Sequence, residues 1–301
     1  MSERHADEEA GGFELVTLAG GVRSLRARDN GQVFHPVVGP VAEATAVHVA
    51  GGQLVERVAA LRAQPFVIWD VGLGAAANAL TAIEALLAAG GRLRGRRVEL
   101  FSFDRSCEPL RFARQHAEEL GYPRGREAWL DALLAARAPV EIGADALTLR
   151  WVFVQTNFAA MAPRGWPAPH AIFFDPYSPA VNPEMWTLAL FERLRGEMGE
   201  TPCVLTTYSR STAVRVGFLL AGFFVGIGAA TGEKEETTVA SNERALLAQP
   251  LDRRWLETTV RHSTNAAPLR NAVFSRRPIG DADFTRLRRH PQFYSEANSS
   301  P

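Results

Sequence analysis

The chain has 301 residues, 47% hydrophobic and 22% charged, ordinary globular values that exclude wholesale disorder. Thirty-three basic residues balance thirty-three acidic ones, so no global basic field advertises a polyanionic partner, although a local patch can still bind phosphate. Two cysteines, Cys107 and Cys203, are too few for a disulfide framework or a four-ligand zinc site; seven scattered histidines show no ligand-like spacing, so no metal is expected.

Residues 1–12 are acidic and polar, where a cleavable signal would be basic and then apolar; they read as a disordered tail. Residues 13–62 read as an extension. Phe13–Leu25 forms a short hairpin turning at Gly20-Gly21, then His35-Pro36 and Gly39-Pro40 lead into a helical run from Val41 to Leu61. The main domain is predicted over 63–242. Its strands are Phe66–Asp70, Val98–Phe103, Leu147–Val154, Ala171–Phe174 and Cys203–Thr207, with helices after Gly74 as far as Ala89 and over Glu108–Leu120. Strands alternating with helices argue for a parallel sheet covered on both faces. Phe223–Ile227 and Glu236–Ala240 then read as two adjacent extended runs. Residues 243–301 form an arginine-rich appendage, helical on either side of Ala266-Ala-Pro268 and ending in a second polar tail. No apolar run reaches the roughly 20 residues needed to span a bilayer. A soluble, cytoplasmic protein with two buried free thiols is the expectation.

Asp70-Val-Gly72-Leu-Gly74-Ala-Ala76-Ala77-Asn78 joins the first of these strands to its helix. Glycines let the backbone turn sharply and approach a ligand, and the helix start supplies free N–H groups. As G-x-G-x-x-A, with Gly72, Gly74 and Ala77, the turn suits the pyrophosphate of a dinucleotide. As acidic-x-G-x-G-x-small, with Asp70, Gly72, Gly74 and Ala76, it suits S-adenosylmethionine, and the acid at Asp70 favours this second reading. A tight turn with no ligand is the bland alternative. Asp104, at the end of the second strand, can accept both hydroxyls of a ribose in either case.

Phe173-Phe174-Asp175-Pro176-Tyr177-Ser178-Pro179 follows the fourth strand. Two prolines stiffen the loop and fix Asp175 at the strand's carboxyl end, where open α/β sheets place ligands. A carboxylate there can orient an amine nucleophile and stabilise the cation that develops on it; the alternative for a lone Asp-Pro is a cap or turn. The stretch Asp175 to Trp186, ending Asn182-Pro183-Glu184-Met185-Trp186, resembles the signature of the tRNA wobble-uridine 5-aminomethyl methyltransferases. That family forms the methyltransferase half of bifunctional MnmC and also occurs as stand-alone, MnmD-like proteins. The resemblance continues in Gly72–Leu80, in His35–Ala44, in Tyr208-Ser209 with Ala213-Val-Arg215, and in Ala221-Gly222-Phe223 with Gly232–Thr237.

The resemblance implies a class I S-adenosylmethionine-dependent methyltransferase, an α/β Rossmann-like sheet with a late antiparallel hairpin. It would convert 5-aminomethyluridine to 5-methylaminomethyluridine at position 34 of a tRNA, without the family's flavin-dependent oxidase half and without a membrane partner. Asp70, Gly72, Gly74, Asn78, Asp104, Thr156 and Asn157 are then the expected cofactor residues and Asp175 the catalytic one. Pro176, Tyr177, Ser178, His35 and Tyr208 are expected around the substrate. Three segments depart from the family pattern. Ala76 stands where a third glycine is usual, Gln155-Thr156-Asn157 stand where Gly-Asp is usual, and Pro176-Tyr177 replace a glycine and phenylalanine. A methyltransferase for another amine, a nicotinamide-dependent oxidoreductase, and a non-catalytic protein binding tRNA or a protein partner remain alternatives. Trp186 reads as a core anchor or a base-stacking platform. The arginines at 92, 94, 96 and 97, and those at 276, 277, 286, 288 and 289, read as solvated faces, the second group being the better candidate for phosphate contact.

Overall fold

The computed structural model describes residues 12–35, 38–62, 64–135, 138–144, 147–161, 165–231 and 236–294. The predicted tails, Pro36 and the Gly232-Glu-Lys turn lie outside them. The chain divides into two compact units, residues 1–158 with 231–233 and residues 159–230 with 234–301; each holds four strands of mixed sheet.

In the first unit a hairpin of β1 (Phe13–Thr17) and β2 (Arg23–Ala27) precedes the sheet. Next comes α1 (Pro40–Ala44), which continues as a π-helical turn over Thr45–Ala50. Helix α2 (Leu54–Ala60) begins after Gly51-Gly52, with Gln53 in the left-handed region, so the single run predicted over 41–61 is broken there. Strand β3 (Phe66–Val71) is buried along its whole length, the mark of a central parallel strand covered on both faces. It pairs in parallel with β4 (Arg96–Asp104), Phe66 opposite Val98. Helix α3 (Ala77–Ala88) lies between them in sequence. The helix predicted over 108–120 is two, α4 (Glu108–Gln115) and α5 (Ala117–Leu120), separated at His116. Two elements escape the sequence reading: α6 (Glu127–Ala135), and β5 (Val140–Ala144), which runs antiparallel to β6 (Leu147–Gln155). Strand β6 is parallel to β4, so this unit's order is β5-β6-β4-β3. The expectation of two buried thiols holds for Cys203 alone. Cys107 caps the start of α4 half-exposed, with Arg111 Nε 3.3 Å from its sulfur.

In the second unit β7 (Ala171–Phe174) pairs in parallel with β8 (Val204–Thr207). Strand β10 (Thr237–Ser241) then pairs antiparallel with both β8 and β9 (Phe224–Gly228), giving the late hairpin and the order β7-β8-β10-β9. Helices α7 (Leu188–Met198) and α8 (Thr212–Leu220) meet through Phe191 and Phe218, stacked at 4.1 Å, with Phe174 edge-on to both. The arginine-rich region forms α9 (Arg253–Trp255), continuing as a π-helical turn over Leu256–Val260, and α10 (Asp281–Arg288). It also lines the outer side of β9. Ile227 N donates to Gln249 O at 2.9 Å and Leu251 N to Val225 O at 2.9 Å. The buried Gln292 amide accepts from Val225 N at 2.7 Å and donates to Val225 O at 2.7 Å. No helix among the described residues is long and apolar enough to cross a membrane.

Candidate active site

The glycine turn belongs to the first unit. Gly72 N and Leu73 N both donate to Phe103 O of β4, at 2.9 and 3.2 Å, which folds the chain back after β3. Gly72 (φ 97) and Gly74 (φ 52) are partly open to solvent while Leu73, Ala75 and Ala76 between and after them are buried. A Cβ on Gly74 would lie 2.8 Å from Cε1 of Phe34, so a larger residue would force that ring to move and strain a left-handed backbone. Ala76 is itself left-handed at φ 63 and starts α3 with its methyl buried. The small side chain is accepted at a backbone cost of about 1–2 kcal/mol. Ala75 sits in an apolar cluster with Leu25, Phe112, Ala113 and Leu120, against which Phe13 and Phe34 pack. The hydroxyl of Tyr122 donates to Ala75 O at 2.9 Å, and burial pushes its pKa far up, so it is a permanent donor. The N-terminal hairpin and α4–α5 thus brace the turn.

Two carboxylates flank it, in different environments. Asp70 is fully buried and accepts from Ser102 Oγ at 2.8 Å, which in turn accepts from Trp151 Nε1 at 2.9 Å. This chain of bonds links β3, β4 and β6 beneath the turn. Asp104 is half-buried at the end of β4. Its Oδ2 accepts from Gly74 N at 2.9 Å and its Oδ1 from Ser106 N at 3.1 Å. Burial raises its pKa, and those backbone N–H groups oppose the rise. The Arg105 N–H also addresses this carboxylate, which with about four lone-pair sites keeps room for a further donor. Asn78 is buried on the first turn of α3. Thr156 N donates to Asp104 O at 2.7 Å; Thr156 is half-buried, Asn157 exposed, and Gln155 Nε2 reaches Arg105 O at 3.3 Å.

His35 has a positive φ (48°), and its Nδ1 lies 3.6 Å from Oε1 of the buried Glu43. His48 is five residues beyond Glu43 and returns to the same helix face because the intervening turn is π-helical. Burial, with the charge of His35, lowers the His48 pKa to about 3.

The Asp175 loop belongs to the second unit. Asp175 is half-buried immediately beyond β7, Pro176 is buried, and Tyr177 and Ser178 are half-buried. Two donors clamp the loop's carbonyls: Tyr208 OH to Pro176 O at 3.2 Å, and Trp186 Nε1 to Tyr177 O at 2.8 Å. Val181 N and Asn182 N both donate to Ser178 O at 2.9 Å. Trp186 is 2% exposed and edge-on to Phe174 and Tyr208, so it anchors the core and has no face for a base. Behind Tyr208 lies a network that sequence reasoning missed. The buried Arg215 donates to Thr238 Oγ1 at 3.0 Å, Thr237 O at 2.8 Å and Glu236 Oε1 at 2.8 Å, and Thr238 Oγ1 donates to Ser209 O at 2.6 Å. A lone arginine inside an otherwise apolar helix was the available signal.

The chain is similar to known proteins in sequence and in fold. Residues 126–243 match the family model described as S-adenosyl-L-methionine-dependent methyltransferase. The tRNA 5-methylaminomethyl-2-thiouridine biosynthesis bifunctional protein MnmC of Cupriavidus metallidurans is 32% identical over 218 residues, 69% of this chain and 31% of that protein. Its counterpart in Methylibium petroleiphilum is 29% identical over 248 residues, 76% of this chain and 34% of that protein. The chain thus spans about a third of the length of the curated relatives it matches. Among solved structures, MnmC2 from Aquifex aeolicus superposes with a TM-score of 0.66 at 23% identity, covering 93% of this chain and 85% of that one.

Proposed function

Because the chain is an S-adenosyl-L-methionine-dependent methyltransferase related to MnmC, we propose that it methylates the 5-aminomethyl nitrogen of a tRNA wobble uridine. Its fold is the α/β class I methyltransferase fold, with the late antiparallel hairpin in β9–β10. The observation that carries the substrate reading is the Asp175 loop, a half-buried carboxylate on a doubly clamped, proline-stiffened turn.

The residues of the first unit fit S-adenosylmethionine. Asp104 keeps acceptor capacity for a ribose hydroxyl, and the open Gly72 and Gly74 let the methionyl part approach backbone N–H groups. Asp70 braces the turn from beneath, Asn78, buried on the first turn of α3, addresses the cofactor's methionyl part with its amide, and Thr156 and Asn157 offer a hydroxyl and an amide to the adenine. When bound, the cofactor supplies an electrophilic methyl on a sulfonium. Asp175 accepts a hydrogen bond from the neutral amine, aims its lone pair, and stabilises the positive charge that nitrogen acquires as the N–C bond forms and the S–C bond breaks. A proton then leaves the nitrogen to solvent. Pro176, Tyr177 and Ser178 shape the uridine pocket, Tyr208 holds it through Pro176 O, and His35 with Glu43 supports the chain that leads into the fold.

The test is methyl transfer to tRNA carrying 5-aminomethyluridine, read by mass spectrometry of the nucleosides. Asp175→Asn is expected to lower kcat about a hundredfold or more while S-adenosylhomocysteine binds as before. Unchanged turnover in that variant would remove Asp175 from the mechanism.

A further inference from the structure

Residues 253–289 contain nine arginines and only three carboxylates, in a chain whose total charges cancel. The structure organises them. Glu257 lies 2.9 Å from Arg288 Nε and 4.0 Å from Arg253 Nε, and Asp283 lies 2.8 Å from Arg270 Nη2 and 3.9 Å from Arg286 Nη1. Each carboxylate is shared by two guanidiniums, so each trio keeps a positive charge. The four side chains remain 52–55% exposed. Arg270 and Arg288 are each held through one nitrogen, which leaves most of their N–H groups to an incoming acceptor.

Between α9 and α10 the chain is held by Ala266 N and Ala267 N on Arg277 O, at 3.0 and 2.9 Å. From Arg270 to Pro278 nearly every residue is exposed. Here the Arg276 guanidinium lies 5.7 Å from the ring centroid of Phe274, itself 37% exposed. Arg253 also lines a cleft of about 460 Å³ that ends at Tyr294, 65% exposed.

We propose that the exposed surface of residues 253–294 in the second unit binds RNA, its arginines contacting phosphates and Phe274 and Tyr294 stacking on unpaired bases. Planar cations beside exposed rings match phosphodiester and base chemistry together. A membrane surface is a poorer fit, because α10 turns its apolar Phe284 and Leu287 inward. The inference rests on the tRNA reading above.

The experiment is a fluorescence-anisotropy titration of the full chain with an unmodified tRNA transcript at several salt concentrations. The triple variant R276A/R277A/R289A is expected to bind about tenfold or more weakly, with a log–log salt slope shallower by about 2. Phe274→Ala and Tyr294→Ala are expected to weaken binding about tenfold each with little change in slope. Thermal melting and S-adenosylhomocysteine titration check that each variant is folded. If the wild type binds the transcript and methylates tRNA carrying 5-aminomethyluridine, and the triple variant binds with the same affinity and slope, this surface is overturned alone. If the wild type neither binds nor methylates tRNA, the substrate reading falls and the surface with it.

Discussion

At Gly74 one added methyl would act on three things at once. The residue is left-handed, its missing Cβ leaves room for Phe34, and its N–H is bound to Asp104. Gly74→Ala is therefore expected to cost about 1–3 kcal/mol of stability, measured by urea denaturation, and to weaken S-adenosylhomocysteine binding in calorimetry. His48 governs a different response. Its pKa of about 3 in the fold lies below the ordinary 6.5, so the unfolded chain takes up a proton that the folded chain refuses. Stability from this group is complete above pH 6.5 and falls by up to about 1.4 kcal/mol per pH unit on acidification towards 3. His290, lowered to about 4 by burial, adds in the same direction. Denaturation midpoints at pH 7, 6 and 5 should decline, and His48→Gln should flatten the decline. The places of Gly72, Gly74, Asp104 and Asp175 in the turn and at the strand ends were legible in the sequence, because an apolar run followed by glycines or a carboxylate marks a strand and its end. Their braces were not. Ser102 reaches Asp70 across 32 positions and Tyr122 reaches Ala75 across 47, pairings that only strand register and helix packing create.

Among the elements, the junction of β8, α8 and β10 depends on Arg215. Its three outgoing bonds satisfy Thr238, Thr237 and Glu236, and its side chain is 3% exposed. Arg215→Met removes one partner of a largely buried ion pair, and is expected to cost about 3 kcal/mol in urea denaturation. A milder change, Tyr208→Phe, removes only the donor to Pro176 O; it should lower kcat on tRNA several-fold and leave S-adenosylhomocysteine affinity unaltered. The parallel strands were readable because runs such as Phe66–Val71 are apolar on both faces. Strand β5 was not, since Val140–Ala144 is short and includes a glycine, and its pairing with β6 is a tertiary fact. The π-helical turn over Thr45–Ala50 also escapes periodicity, because one extra residue per turn changes which side chains align.

On the scale of the whole molecule, zero net charge conceals an uneven distribution, and the arginine-rich region is built into the second unit instead of trailing from it. Gln292 is the clearest sign. Its amide binds both the N–H and the C=O of Val225, as a neighbouring strand's peptide group would, and it donates as well to Leu251 O at 2.8 Å. Together with residues 249–251 it occupies the outer side of β9, the last strand in the sheet. A chain ended at residue 242 would present that strand bare, a template on which a second molecule can add its own strand. Such a truncation is expected to scatter light and elute as oligomers on size exclusion. The arginine-rich segment would therefore guard the protein's solubility, as a fixed chaperone of its own sheet, whether or not RNA is present.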